Sequence, residues 1–223
     1  MAVFKNIKKR HNESVVLPFF IFSLLALFCI LTLWLYWPGL QGLFVMDDLI
    51  VLARLNERGG VTDLSTLYSF IFGSGSSVIG RPISLLSLLI DDQYWPGDVS
   101  QYKYTNVMLH MVCGLLVFLL IHKVCLCLGQ KNASALTIAV LTAGVWLVHP
   151  LNVSTVMYVV QRMTLVATIF SLLSLIFYIS GREVSLKNNP MSILLMSLSL
   201  LPFGLFALLS KETGVLVLLF LLL

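Results

Sequence analysis

Charged side chains are scarce in this chain, where they make up 11% of the 223 residues. A soluble domain carries about 25% charged residues. Hydrophobic residues make up 59% of the sequence, which is more than a water-soluble core of this size can hide. The composition therefore excludes an ordinary soluble domain. Long uninterrupted apolar runs indicate an integral membrane protein, because a bilayer core requires about 20 apolar residues for each spanning helix.

The sequence also lacks the motifs of several common chemistries. It has no Gly-rich phosphate loop and no nucleophile elbow. His110, His122 and His149 are too scattered to predict a metal site. Cys125 and Cys127 have the wrong spacing for a zinc knuckle, and no second pair exists. We interpret the four cysteines, all in apolar segments, as small hydrophobic residues.

The apolar runs predict an all-α bundle that crosses the membrane several times. Complete spans are expected at 15–36, 104–128, 133–148, 163–179 and 191–209, followed by a partial span at 215–223. Because this last run stops before it can cross a bilayer, we expect the natural protein to continue beyond it. The run at 15–36 is longer than the core of a cleaved signal peptide and has no small-residue cleavage site, so we expect it to be retained.

Lysine and arginine are distributed unevenly among the predicted loops. One set of loops, which includes residues 1–14, holds Lys5, Lys8, Lys9, Arg10, Lys123, Lys131, Arg182 and Lys187 against Glu13 and Glu183. The positive-inside rule places this set in the cytoplasm and the loop 38–103 on the opposite side, periplasmic or lumenal. Membrane lipid is thus the expected partner for the net charge of +4, and nucleic acid is not.

The long loop at 38–103 is predicted to carry amphipathic helices. Apolar spacing or a favourable first residue predicts helices at 64–72, from Pro82 onward and at 149–162. In the second of these, Ser84, Ser87 and Asp91 form a polar stripe opposite Ile83, Leu86 and Ile90. Short amphipathic helices next to a bilayer tend to lie in its interface. We expect these to cover the outer ends of the spanning helices.

Two adjacent carboxylates, Asp47 and Asp48, follow the first span where the chain leaves the bilayer. Near a low-dielectric boundary such a pair repels, one pKa can rise, and either acid is a candidate general base. The alternative is a solvated pair of loop acids that caps the helix beginning at Leu49.

Three basic residues, Arg81, Arg162 and Lys211, fall at three predicted outer helix ends. Arginine suits bidentate phosphate contacts and lysine suits a point-charge contact, so a phosphate-bearing ligand at the membrane surface would explain the set. Alternatively, each pairs with a nearby acid or extends toward lipid head groups.

Further polar residues lie at the entries of the predicted helices. Asn106 and His110 are four residues apart and share a helix face, which predicts either a wet cavity or helix-to-helix hydrogen bonds. His149 precedes a proline, and this pair is also consistent with a simple helix stop.

Five stretches together resemble one family. They are FVMDDLI at 44–50 with Asn56 downstream, RPISLLS at 81–87, YTNVMLH at 104–110, HPLN at 149–152 continuing to QRMTLVA at 161–167, and SKETG at 210–214. Their order and spacing resemble the N-terminal membrane part of the transmembrane and tetratricopeptide-repeat O-mannosyltransferase-like proteins. That family belongs to the GT-C class of polytopic glycosyltransferases, which use lipid-linked sugars.

The resemblance implies a reaction and roles for residues. The donor would be a polyprenyl-phosphate-linked sugar, with no bound cofactor and an open metal requirement, and the acceptor would be a protein or a glycan. Asp47 or Asp48 would deprotonate or orient the acceptor hydroxyl. Arg81, Arg162 and Lys211 would hold the donor phosphate, which stabilises developing negative charge. Residues that would shape the site are Asn106, His110, His149 and Glu212.

A non-catalytic alternative is a transporter or flippase-type subunit that handles lipid-linked glycans. Transporters usually place polar residues and broken helices near the bilayer midplane. Most charges here lie at helix ends, which favours the enzyme. Pro202 and Gly204 in the fifth predicted span indicate either a broken transporter helix or a kink.

The charge asymmetry predicts that the N-terminus and the loops at 129–132 and 181–189 are cytoplasmic, whereas the loop at 38–103 is not. In a background without the native cysteines, Glu57→Cys should react with a membrane-impermeant thiol reagent only from the extracytoplasmic side. Lys131→Cys should react only from the cytoplasm. Labelling of position 57 from the cytoplasm alone would overturn the predicted topology.

Overall fold

The fold is described from a computed structural model of the chain, which describes residues 2–57, 59–73, 80–185 and 190–222. Of residues 2–16, only the backbone is described. Helices account for 81% of the structure, and no strand occurs in these ranges, so the prediction of an all-α protein is confirmed. Parts of the predicted break at 73–77 and of the loop at 181–189 lie outside the described residues.

Eleven α-helices follow one another within the described ranges. They are α1 Ala2–Tyr36, α2 Asp47–Ala53, α3 Leu64–Phe72, α4 Pro82–Leu88, α5 Val99–Cys127, α6 Asn132–Leu147, α7 Asn152–Met157, α8 Arg162–Ser185, α9 Met191–Leu198, α10 Leu205–Ser210 and α11 Leu216–Leu222. Short 3₁₀ turns occur at Trp37–Gly39, Arg54–Asn56, Val159–Gln161 and Glu212–Val215, and a π-helical turn at Ser199–Gly204 joins α9 to α10.

Four helical segments of the described chain are long and apolar enough to cross a membrane. They are Phe19–Gly39, Val99–Cys127, Val159–Ser185 and Met191–Ser210. The predicted span at 133–148 corresponds to α6, whose 16 residues extend about 24 Å at 1.5 Å per residue. This helix is shorter than the roughly 30 Å of a bilayer core. The sequence therefore predicted one more full-length span than the helix lengths support.

Helix α6 packs closely against its neighbours because its inward face is small. Ala135, Ala139 and Ala143 recur every fourth residue and are fully buried. Ala139 and Ala143 belong to one core cluster with Ile21 and Phe118. A Cβ atom added at Gly144 would lie 2.2 Å from the Phe28 ring. Small residues at such spacing let membrane helices approach closely, so α6 is held in the bundle together with α1 and α5.

One end of the bundle, here called the loop end, gathers the polar chain segments. The helices α1, α6 and α10 finish there and α5 and α8 begin there, while α2, α3 and α4 cover it. A core cluster joins this cover to the bundle and contains Leu52, Leu55, Phe70, Ile71, Leu85, Leu88, Tyr102 and Val159. At the opposite end, Lys123 pairs with Glu183 at 2.9 Å. The cover predicted for the segment after α1 is thus present.

Helix α3 occupies the predicted range and starts at a capping box, in which the Asp63 carboxylate accepts the Thr66 N–H at 2.7 Å. Its apolar residues divide between two directions. Phe70 and Ile71 are buried in the cover, whereas Leu64, Tyr68 and Phe72 are exposed. A helix with apolar residues on its outward face is suited to a membrane interface rather than to water.

Helix α4 places its polar stripe inward together with Leu85 and Leu88, and it exposes the apolar side chain of Leu86. It begins with Pro82 in the first turn, as predicted. Ser84 is buried, and its hydroxyl donates to the Ser210 carbonyl at 2.7 Å. Leu86 is 47% exposed, and Ile90 in the following turn is 74% exposed. A buried polar stripe beside an exposed apolar edge fits a helix with polar bundle ends on one side and lipid on the other.

We therefore expect position 90 to contact the bilayer. A nitroxide attached at Ile90→Cys should be relaxed by oxygen, which concentrates in lipid, and protected from a water-soluble nickel reagent. The matched control is a nitroxide at Glu57→Cys, an exposed residue of the same loop. There the nickel reagent should relax the nitroxide more strongly than oxygen does. Equal access of the nickel reagent to both positions would show that α4 faces water.

Candidate functional site at the loop end

Arg162 lies at the centre of the loop end and is completely buried. Its Nε donates to Asn106 Oδ1 at 2.6 Å, and its Nη2 donates to the Tyr102 carbonyl at 2.8 Å. Its Nη1 donates to the Ser87 carbonyl at 2.9 Å and lies 2.5 Å from the Asp91 carboxylate. Each guanidinium nitrogen is thus directed at a protein oxygen, as a buried cation requires.

These contacts favour one of the two roles considered for Arg162, a pair with a nearby acid. Its side chain is 1% exposed and that of Asp91 is 2% exposed, so neither presents a surface to a ligand. Asp91 also accepts a hydrogen bond from the Thr105 hydroxyl. The geometry therefore supports the alternative of a pair with an acid, and it gives no support to a phosphate contact by Arg162.

Asn106 and His110 both bond to other helices, as one of the predicted alternatives requires. The Asn106 amide donates to the Val156 carbonyl of α7 at 3.1 Å, which holds α7 against α5. The His110 Nε2 lies 2.9 Å from the Leu147 carbonyl at the end of α6. Neither side chain has exposed surface. They shape the loop end by holding helices together rather than by facing a cavity.

The two adjacent acids have different environments. Asp48 is buried, and its carboxylate accepts the Val160 N–H at 2.8 Å and the Val45 N–H at 3.1 Å. Burial raises the pKa of Asp48, and these backbone hydrogen bonds oppose the rise. Asp47 is exposed, and its backbone N–H donates to the Tyr158 hydroxyl at 2.9 Å. Asp48 therefore clamps two backbone segments, while the Asp47 carboxylate is open to a reactant.

An unusual backbone conformation precedes the acid pair. Met46 has a φ of 46°, which few residues other than glycine adopt. Such strain persists only where the surroundings enforce it. Here the Asp48 carboxylate holds the Val45 amide on one side of Met46. The strained residue thus directs α2 so that Asp48 points inward and Asp47 outward.

Arg81 and Glu212 form a bidentate ion pair at the loop end. Arg81 Nε donates to Glu212 Oε1 at 3.2 Å, and Nη2 lies 3.1 Å from Oε2. The remaining nitrogen, Nη1, points at the Met163 sulfur at 2.9 Å, and a thioether is a weak acceptor. The side chains of Arg81 and Glu212 are 25% and 42% exposed, so a ligand can reach both.

Lys211 lies in an extended stretch between α10 and the Glu212–Val215 turn. Its Nζ donates to Thr164 Oγ1 at 2.7 Å and to Gln161 Oε1 at 3.1 Å. Burial lowers the pKa of Lys211, with a further decrease from the positive charge of Arg81 and an opposing effect from Glu212. The charges of Arg81, Lys211 and Glu212 thus act on one another.

His149 does not join these residues. It is exposed, and its Nδ1 accepts the Leu151 N–H at 3.3 Å. It lines an open cavity of about 660 Å³ on the outer side of α6, together with Leu141, Thr142, Val145, Trp146, Leu151 and Asn152. None of these lining residues bonds to the acid pair or to Arg81 and Lys211 in the described structure.

The segment from Tyr158 to Thr164 connects both halves of the candidate site. Tyr158 contacts Asp47, Met163 contacts Arg81, and Thr164 contacts Lys211. Sequence reasoning missed Tyr158, Gln161 and Thr164 as site residues, although Gln161 and Thr164 lie in a stretch that carried the family resemblance. These residues could have been recognised as site candidates because they are polar and lie at the start of an apolar helix.

Comparison with protein-family models, curated proteins and solved structures finds no match to this chain. The site is therefore interpreted from its own geometry. Groups of three or more His, Cys, Asp or Glu side chains able to hold a metal ion are not found among the described residues.

Replacement of Asp91 by Asn should destabilise the protein. An amide carries no negative charge, so the buried Arg162 guanidinium would be left unpaired, at a cost of about 3–5 kcal/mol. Thermal unfolding of the purified chain in detergent should show a clear fall in midpoint. Glu57→Gln, which removes an exposed acid of the same loop, is the control and should unfold like the parent. A parental midpoint for Asp91→Asn would mean that the ion pair contributes nothing.

Proposed function

We propose that this chain acts as a GT-C-like membrane glycosyltransferase, which moves a sugar from a polyprenyl-phosphate donor to an acceptor hydroxyl on a protein or glycan. The observation that carries the proposal is the meeting of Arg81 and Lys211. Arg81 contacts Met163, and Lys211 contacts Thr164, the next residue in the sequence. Two partly exposed cations from distant parts of the sequence thus lie near each other at the end of an apolar bundle. A phosphate anchored in lipid is the ligand class that such a position suits.

The proposed reaction is a substitution at the anomeric carbon of the sugar. The acceptor oxygen forms a bond to this carbon while the bond to the phosphate oxygen breaks. The electron pair of the broken bond leaves with the phosphate, and its new negative charge is stabilised by Arg81 and Lys211. Atoms and charge balance without a redox partner, and the products are the glycosylated acceptor and the polyprenyl phosphate.

Asp47 is proposed as the general base that takes the proton of the acceptor hydroxyl. Its carboxylate is exposed at the loop end, and Tyr158 fixes its backbone. Asp48 is unsuited to this role because both of its oxygens accept backbone amides inside the protein. Asp48 and the Arg162 cluster are proposed to position the segments that carry Asp47, Arg81 and Lys211.

The membrane setting supports a lipid-linked donor. The loop end adjoins four helices of spanning length, so a polyprenyl chain can remain in the bilayer while its phosphate reaches the basic pair. With the predicted orientation, this end lies on the periplasmic or lumenal side and the N-terminus lies in the cytoplasm. An acceptor protein or glycan would then approach from that compartment.

A transporter or flippase-type subunit remains the second candidate, because the π-helical turn Ser199–Gly204 interrupts a spanning segment. The turn is packed rather than open. The Ser174 hydroxyl donates to the Ser199 carbonyl at 2.9 Å, and the Phe177 and Phe203 rings lie 4.8 Å apart. Movement of a fluorescent lipid-linked glycan across proteoliposomes, without sugar transfer, would support this candidate over the enzyme.

Separate replacement of the two acids tests the proposed division of roles. With polyprenyl-phosphate mannose as donor and a Ser/Thr-rich peptide as acceptor, Asp47→Asn should lower the transfer rate by about 10²–10⁴-fold without changing thermal unfolding. Asp48→Asn should instead cost about 1–3 kcal/mol of stability, since its NH₂ group would face a backbone N–H. A parental transfer rate for Asp47→Asn would refute its role as base.

A further inference from the structure

Glu212 binds the two Arg81 nitrogens that a phosphate would also use. Its carboxylate engages Arg81 through two nitrogens, at 3.2 and 3.1 Å, and a planar bidentate contact is also how arginine binds phosphate. A phosphate that uses this edge of the guanidinium must displace the carboxylate or share Arg81 with it. Glu212 therefore competes with any anion that binds Arg81.

The three charges leave the cluster with one excess positive charge. Arg81 and Lys211 contribute two positive charges and Glu212 one negative charge. Lys211 Nζ donates to two neutral oxygens, those of Gln161 and Thr164, so these contacts do not neutralise it. The charged groups that act on Lys211 are Arg81 and Glu212. The cluster is thus matched in charge to a single negative charge.

Phosphate esters differ in charge in a way that this cluster can distinguish. A phosphodiester carries one negative charge, whereas a phosphomonoester carries about −1.5 to −2 at neutral pH, because its second pKa is about 6. A sugar linked to a lipid through phosphate is a diester, and the lipid phosphate left after transfer is a monoester. The second charge of the monoester is repelled by Glu212.

We propose that Glu212 is a specificity-determining residue that makes the basic pair select phosphodiesters over phosphomonoesters. This inference rests on the proposed phosphate site at Arg81 and Lys211. In the free protein Glu212 holds Arg81 in place, and a diester shares the arginine with it. After transfer, Glu212 repels the additional negative charge of the monoester. This repulsion favours release of the lipid product and renewed pairing of Glu212 with Arg81.

The test compares two short lipid probes that differ only in phosphate charge. Binding of farnesyl phosphate, a monoester, and of its methyl diester is measured to the purified full chain in detergent at pH 8. The parent should bind the diester at least as tightly as the monoester. Glu212→Gln should raise monoester affinity by about tenfold and diester affinity by less, so that the preference reverses.

Three further variants test the role of Glu212 even if Glu212→Gln folds poorly. Glu212→Asp retains the charge and should keep the parental preference. Lys211→Gln reduces the excess positive charge and should weaken the monoester more than the diester. Glu57→Gln removes an exposed acid of the loop and should change neither affinity. Thermal unfolding verifies that each variant is folded.

The possible failures are distinguishable. If Arg81→Ala weakens both probes but Glu212→Gln changes both affinities equally or not at all, the selectivity role of Glu212 is overturned and the phosphate site stands. If neither Arg81→Ala nor Lys211→Gln affects either probe, the phosphate site fails and this inference fails with it. Reversal of the preference in Glu212→Gln alone supports the proposal.

Discussion

The loop end depends on the burial of one guanidinium group. An uncompensated charge at the position of Arg162 would cost several kcal/mol, so the chain must deliver oxygen atoms to all sides of it. Those atoms come from three regions: the carbonyl of Ser87 in α4, the Asp91 carboxylate in the turn that follows, and Tyr102 and Asn106 in α5. The cover cannot move away from the bundle without exposing this charge.

The same burial sets the geometry of the residues beside Arg162 in the sequence. Because its side chain points into the protein, Gln161 and Thr164 are left to contact Lys211, and Met163 contacts Arg81. Asp48 binds the amide of Val160, two residues before Arg162. A buried cation therefore helps to arrange a partly exposed pair of cations, although its own side chain is only 1% exposed.

The sequence was most informative where local pattern and composition decide the structure. Apolar run length indicated the long helices, and residue spacing indicated α3 and the start of α4 at Pro82. The helix predicted at 133–148 is present within one residue of those bounds, but its 16 residues are fewer than a full span requires. Its buried alanines instead pack it closely against α1 and α5. The gathering of charges at helix ends was also apparent from their positions between apolar runs.

Side-chain direction and long-range pairing were beyond the reach of sequence patterns. Arg81, Arg162 and Lys211 were equivalent as sequence features, yet one is buried against Asp91 and the others are partly exposed. Asp47 and Asp48 were likewise equivalent as neighbours. Their separation depends on the positive φ of Met46 and on an amide more than one hundred positions away, which no local periodicity contains.

The buried polar stripe of α4 has a consequence for the order in which the protein is assembled. The Ser84 hydroxyl is bonded to Ser210, which lies 126 residues later in the sequence. At a translation rate of about 5–20 residues per second, α4 is synthesised roughly 6–25 s before that partner exists. Throughout this interval its serines need water, whereas Leu86 and the following Ile90 need lipid. The membrane surface supplies both, so α4 can lie in this interface until α8 and α10 have been synthesised and pack against it.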